Sequence, residues 1–164
     1  MEEEWSEVSV VDEALKDARN QALRWLAVRD YTELQLKNRL LQHFPEQVAI
    51  TVVRDLVSRN YVDDQKVAER VAQVRAKNGY GPLKIRAELE SLGIQALMIA
   101  QLMAELEEGW MAAITHLLNK RTTLDEVRQS RREKGKQIRY LAHRGFSIDQ
   151  ILRAIDEWAG GASE

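Results

Sequence analysis

Three apolar patterns recur along this chain and restrict its fold more than any single motif does. Leu40, Leu89 and Leu141 each close a short helical run, at separations of 49 and 52 residues. Phe44, Ile94 and Phe146 follow four or five residues later. Then come Val48, Val53 and Leu56; Ile99, Leu102 and Leu106; Ile151, Ile155 and Trp158. The repeating unit is about fifty residues and three helices. A unit of that size buries its apolar face poorly alone, whereas stacked units share a core. The expected fold is all-α: an elongated, curved tandem array of three three-helix repeats of helix-turn-helix type. The divisions are an acidic N-terminal arm over 1–12, repeats over 13–62, 63–109 and 110–159, and a tail over 160–164. The repeat is degenerate, because the first unit lacks the glycine supplied by Gly93 and Gly145.

Local signals place the helices. Residues 1–12 show no helical period and are expected to be loose. Leu15, Ala18, Ala22, Leu23, Trp25 and Leu26 recur at helical steps, so an amphipathic helix starts near Glu13. Thr32 suits the N-cap of a helix over 33–42 that buries Leu36, Leu40 and Leu41. Pro45 starts a helix over 46–59, and Asn60 can end it in a left-handed conformation. Asp63 and Asp64 suit a helix start, where carboxylates cap free N–H groups and oppose the dipole. That helix, 65–78, is expected to bury Val67, Val71 and Val74. Helices over 82–92 and 95–108 follow, each stopped by a glycine. A helix from Trp110 runs to about Lys120. The pattern Thr123-Leu124-Asp125-Glu126 is a capping box for a helix to His143, with an interruption expected near Gly135. The last helix, 148–158, turns Ile151, Leu152, Ile155 and Trp158 inward.

The most suggestive corner is Asn78-Gly79-Tyr80-Gly81-Pro82-Leu83-Lys84-Ile85-Arg86. Gly79 and Gly81 end one helix, and Pro82 suits the first turn of the next. Tyr80 sits among cations: Arg75 and Lys77 before it, Lys84 and Arg86 after it. Positive charge around one aromatic ring on an interhelical loop suits a polyanion or a protein that carries one. A plain helix–turn–helix corner with Tyr80 packed inward is the simpler alternative. A second basic cluster comprises Arg131, Arg132, Lys134, Lys136 and Arg139.

Charge is unevenly spread. The net charge of −2 includes a net of −6 over residues 1–18, where seven acids face Lys16 alone, so the rest of the chain is +4. Residues 119–144 hold nine bases and three acids, a net of +6. An acidic arm beside a basic body can compete with an acidic partner. Absent cysteines exclude disulfides, thiolate metal sites and cysteine nucleophiles. The apolar runs are too short to cross a bilayer, and Met1-Glu2-Glu3-Glu4 is acidic where a signal peptide is basic. A soluble cytoplasmic protein is the expectation. His43, His116 and His143 are scattered without metal-ligand spacing. No Gly-Lys-Ser/Thr phosphate loop occurs. No cofactor, metal site or catalytic constellation is expected. Trp25, Trp110 and Trp158 read as core anchors, and Trp5 as a docking residue in the acidic arm.

Three stretches resemble the RecX family in order and separation. They are Ala22 through Tyr31 followed by Leu36 and Leu40; Tyr61-Val62-Asp63-Asp64 with Val67-Ala68; and Gly79 through Ile94. The resemblance covers roughly residues 20–158. Asn60 stands where the family often has glycine, and Val67 where it often has phenylalanine. The resemblance implies three tandem three-helix units and a negative modulator of RecA recombinase, not an enzyme. Such a protein lies in the groove of the RecA–single-stranded-DNA filament and blocks extension or promotes disassembly. It thereby lowers ATPase, strand exchange and coprotease activity in DNA repair, recombination and the SOS response. Both basic clusters would then face the groove, and a monomer with weak direct DNA binding is expected. The alternatives are a helical-repeat adaptor without a nucleic-acid role and a helix–turn–helix DNA-binding protein. Lys84 and Arg86 suit phosphates better than base edges.

Overall fold

The structure, a computed structural model, describes the backbone of residues 2–160 and the side chains of residues 10–160. Ten α-helices occur among the described residues, and no strand. They form two compact units. One runs through Ala68 and includes Leu92–Ile94; the other comprises Glu69–Ser91 and the chain from Gln95 onward.

The first unit is built on α1 (Glu2–Leu26), α2 (Glu33–Leu40) and α3 (Glu46–Ser58). Helix α1 begins eleven residues before the expected start near Glu13. Its opening turns are rich in glutamate, which favours the positive end of the helix dipole. Packing of its second half then lets the helix propagate backward. The docking role expected of Trp5 lies outside the described side chains. Ala18 and Ala22 of α1 meet Leu36, Leu40, Val52 and Leu56 in a fully buried core. Arg19 of α1 joins Asp55 of α3 at 3.0 Å. Arg59 joins the same carboxylate at 2.9 Å. Hydrogen bonding by Arg59 is the larger influence that lowers the Asp55 pKa.

Thr32 caps α2 as expected, with a reciprocal contact from Gln35. Its hydroxyl also donates to the Leu92 carbonyl at 2.7 Å. Gly93, the next residue, has φ +79, and a Cβ there would lie 2.7 Å from the Leu34 Cβ. The turn after the middle helix of one triplet thus seats on the opening of the preceding triplet's middle helix. Asn60 is left-handed, with φ 60. Helix α4 (Asp64–Lys77) starts at the two aspartates, and Asp63 accepts the Lys66 N–H at 3.2 Å. Asp64 instead accepts the Glu33 N–H at 2.8 Å, at the start of α2.

The second unit holds most of α4 with α5 (Pro82–Ser91), α6 (Ala96–Glu105), α7 (Trp110–Arg121), α8 (Leu124–Gln129), α9 (Arg131–Arg144) and α10 (Ile148–Gly160). A 3₁₀ turn over Glu107–Gly109 joins α6 to α7. Helix α10 packs on α7 and α9, and Ile114, Leu118, Leu141, Phe146, Ile151 and Ile155 are buried. Trp110 meets Phe146 edge-on at 6.3 Å. Trp25 and Trp158 are only half-buried, and the Trp158 indole donates to Asn119 at 2.9 Å.

Two expectations are corrected here. The long basic helix breaks at Ser130, not near Gly135. The Ser130 side chain accepts the Glu133 N–H at 3.2 Å and starts a new helix, whereas Gly135 is accommodated within it at modest propensity cost. Leu41, Val74 and Leu152, expected in the core, are surface residues. Leu41 and Leu152 each sit one step round from a buried neighbour, Leu40 or Ile151. In the second half of α4, Ala72 and half-buried Arg75 and Ala76 turn inward in place of Val74.

Candidate functional site

The glycine corner between α4 and α5 is held from a distance along the chain. Gly81 N–H donates to the Arg144 carbonyl at 2.8 Å, and Leu83 N–H to the Gly145 carbonyl at 3.0 Å. A Cβ on Gly81 would lie 2.5 Å from the Gly145 backbone, which forbids any side chain there. Gly145, with φ +99, ends α9 and passes equally close to Lys84. This repeats the seating of Gly93 on α2.

That closure carries Arg144 onto Tyr80. The ring is half-buried, with Arg144 at 4.9 Å, Lys84 at 5.1 Å and Arg75 at 5.9 Å from its centroid. Cations over the ring face are attracted by its quadrupole. Tyr80 therefore sits at the centre of a basic corner built by Arg75, Lys84 and Arg144. The three cations are not equivalent. Arg75 is matched by Glu88 in a two-point pair at 2.7 and 2.8 Å. Hydrogen bonding to Glu88, reinforced by its charge, raises the Arg75 pKa further. Lys84 reaches the His143 carbonyl at 3.4 Å. Arg144 donates to the Tyr140 hydroxyl at 3.1 Å and to the Asn78 carbonyl at 3.2 Å, both neutral groups. Arg144 is thus the central cation of the corner, and the sequence reading did not place it there. Only the family-like spacing of Gly93 and Gly145 could have hinted that the two corners meet.

The other expected residues distribute as follows. Lys77 is exposed at the end of α4, on the side of Arg144. Arg86 is exposed on α5, with no contact to Tyr80 among the described ring contacts. Arg132, Lys136 and Arg139 are exposed at helical spacing and form one stripe along α9. Lys136 lies 3.7 Å from Glu133. Arg131 is exposed at the first turn of α9. Lys134 departs from the stripe: it is half-buried and shares a face with buried Gln137 and Leu141. Among the described residues, no group of three or more His, Cys, Asp or Glu is placed to hold a metal ion. No described helix is long and apolar enough to cross a membrane.

Comparison with known proteins identifies the architecture. RecX family models match in three consecutive pieces: the first three-helix domain at residues 18–56, the second at 63–103 and the third at 107–155. The chain is 30% identical to the regulatory protein RecX of Pseudomonas fluorescens (strain SBW25), covering 90% of this chain and 96% of that one. It is 32% identical to the regulatory protein RecX of Chromohalobacter salexigens over 84% of this chain and 90% of its relative. The fold is similar to the crystal structure of RecX from Lactobacillus salivarius, with TM-score 0.78 and 18% identity over 90% of this chain and 97% of that one. A crystal structure of regulatory protein RecX gives TM-score 0.81 at 22% identity, over 96% of this chain and 79% of that one. Three three-helix domains in tandem, matched in order by all three domain models, make this chain a member of the RecX family of regulatory proteins.

Proposed function

We propose that this protein is a negative modulator of RecA recombinase that binds the groove of the RecA–single-stranded-DNA filament. It blocks filament extension or promotes disassembly, and so lowers ATP hydrolysis, strand exchange and coprotease activity. It does this in the cytoplasm, as a monomer, without catalysing a reaction itself. The observation that carries the reading is the Tyr80 corner: Lys84 and Arg144 converge on one ring, with Arg144 held by neutral partners. Family membership supports RecA as the partner, and cations left with charge to spare would attract phosphates or acidic protein surfaces. The exposed stripe of Arg132, Lys136 and Arg139 adds a second basic face in the same unit.

The test is DNA-dependent ATP hydrolysis by RecA with this protein at substoichiometric amounts. Hydrolysis slows, and the paired reversal Lys84→Glu with Arg86→Glu relieves the slowing by about tenfold in effective concentration. Unchanged hydrolysis with the parent protein overturns the reading in favour of an adaptor. Binding that follows duplex sequence in the absence of RecA points to a helix–turn–helix DNA binder.

A further inference from the structure

A cleft lies between the end of α4, α7 and α9, within the second unit. Its volume is about 410 Å³, and Lys77, His116, Lys120, Arg121, Tyr140 and Arg144 line it. Leu117 and Gly79 contribute an apolar wall, and no lining residue is acidic. Concave sites of this size are typical of small ligands. Four permanent positive charges in such a concavity repel one another unless an anion joins them.

The two guanidinium groups are oriented by neutral partners. Arg121 stacks on Tyr140 at 3.6 Å, and its Nε donates to Gln137 Oε1 at 3.2 Å. Gln137 is fully buried, and its amide donates to Glu133 at 2.5 Å, so its oxygen is fixed. Arg144 is held by the Tyr140 hydroxyl and the Asn78 carbonyl. Both forks are therefore aimed before a ligand arrives, which removes much of the ordering cost of binding. Lys77 and Lys120 are exposed and supply adaptable charge.

The chemistry of the ligand follows. Arg121 covers the Tyr140 ring, and Arg144 lies 5.5 Å from its centroid, so the ring is engaged by cations and is not a free platform for a base. A condensed phosphate chain concentrates several negative charges within one cleft. A nucleic-acid strand spreads its charge along the backbone. We propose that this cleft binds a condensed phosphate chain, that of a nucleoside triphosphate or of inorganic tripolyphosphate, without reading the base. The cleft shares Lys77 and Arg144 with the basic surface of the filament-binding reading, but its phosphate binding needs no RecA.

Isothermal titration of the full chain with tripolyphosphate, ATP, GTP, AMP and a dT oligonucleotide tests this. Tripolyphosphate, ATP and GTP bind alike, and AMP binds at least about tenfold more weakly, because it lacks the charge for both guanidinium forks. The double variant Lys77→Glu/Lys120→Glu, confined to exposed positions, weakens tripolyphosphate binding by about tenfold or more with an unchanged circular dichroism spectrum. Arg121→Gln has the same effect. No binding of tripolyphosphate, equal binding of AMP and ATP, or variants that bind like the parent overturns the proposal. Cleft-dependent binding of the oligonucleotide alone assigns the cleft to a strand. A base-selective difference between ATP and GTP also counts against it.

Discussion

Gly81 donates its N–H to the Arg144 carbonyl at 2.8 Å, across 63 residues of chain, while a Cβ on Gly81 would fall 2.5 Å from the carbonyl carbon of Gly145. Two backbones can approach this closely only where neither carries a side chain on the facing side. Gly145 is subject to a second demand, its left-handed φ of +99. Gly145→Ala is expected to destabilise the protein by about 2 kcal/mol or more, from backbone strain and collision with Lys84. Gly135→Ala, within α9, meets only the end of the Arg139 side chain at 3.5 Å. It is expected to stabilise by about 1 kcal/mol through helix propensity. Urea unfolding of both variants checks the opposite signs.

Thr32 plays the matching part in the first unit. Its hydroxyl oxygen accepts the Gln35 N–H at 3.2 Å and its proton goes to the Leu92 carbonyl at 2.7 Å. Thr32→Ala removes both and is expected to cost about 2 kcal/mol, since a half-buried carbonyl loses its donor as α2 loses its cap. Thr32→Ser keeps both bonds and recovers most of that loss in the same unfolding measurement.

These seats explain how much could be read from the chain in advance. Thr32, Asn60, Pro82, Gly93, Gly145 and the Thr123 capping box carry their signals locally, because each answers a demand of its own backbone. The pairing of Tyr80 with Arg144 depends on a contact between distant corners, which no local pattern encodes. Ser130 and Glu133 form a capping pattern that competes with the low helix propensity of Gly135 as the site of a break. A capped break satisfies free N–H groups, whereas a glycine inside a helix costs about 1 kcal/mol and is tolerated. Lys134 shares the charge of its neighbours, but helical phase separates it from them.

Asp64 and Glu33 form a carboxylate pair at the opening of α2. Burial raises the Asp64 pKa above its ordinary 3.8, and nearby Asp63 adds to this. Burial first, then the Asp64 charge, raises Glu33 above 4.5. The folded state therefore holds these protons more tightly than the unfolded chain. Their contribution is present below the ordinary carboxylate range and is lost as pH rises through the raised values. Asp64→Asn keeps an oxygen for the Glu33 N–H and removes the charge. The variant is expected to be more stable than the parent at pH 7, with the difference closing by about pH 3. Glu33 should then titrate closer to its ordinary value, as followed by carboxyl NMR.

Glu88 tempers the basic corner by pairing with Arg75. Glu88→Gln leaves one hydrogen-bond acceptor and one extra unit of uncompensated positive charge beside Tyr80. If the proposed function holds, the variant slows RecA about threefold more strongly at low salt, and the gain fades by about 0.5 M salt through screening. RecA ATPase assays across a salt series measure both changes.

The α9 stripe and its odd member make a final contrast. On the proposed function, reversing Arg132, Lys136 and Arg139 to glutamate is expected to weaken the effect on RecA by about tenfold or more, with a shallower salt dependence. Lys134→Glu is expected to act mainly on stability, because that side chain shares the inward face of Gln137. Thermal unfolding beside ATPase assays separates the two effects.

The glycine seats also set a rule for lengthening or shortening the chain. A joint made of one backbone resting on another tolerates change in the loops that lead away from it. It has no slack at the point of touch. Extra residues inserted after Arg121 should be absorbed, whereas one residue added between Tyr80 and Pro82 would rotate α5 out of phase with its landing place. Grafts that exchange whole triplets between relatives should therefore be cut away from these joints, never through them.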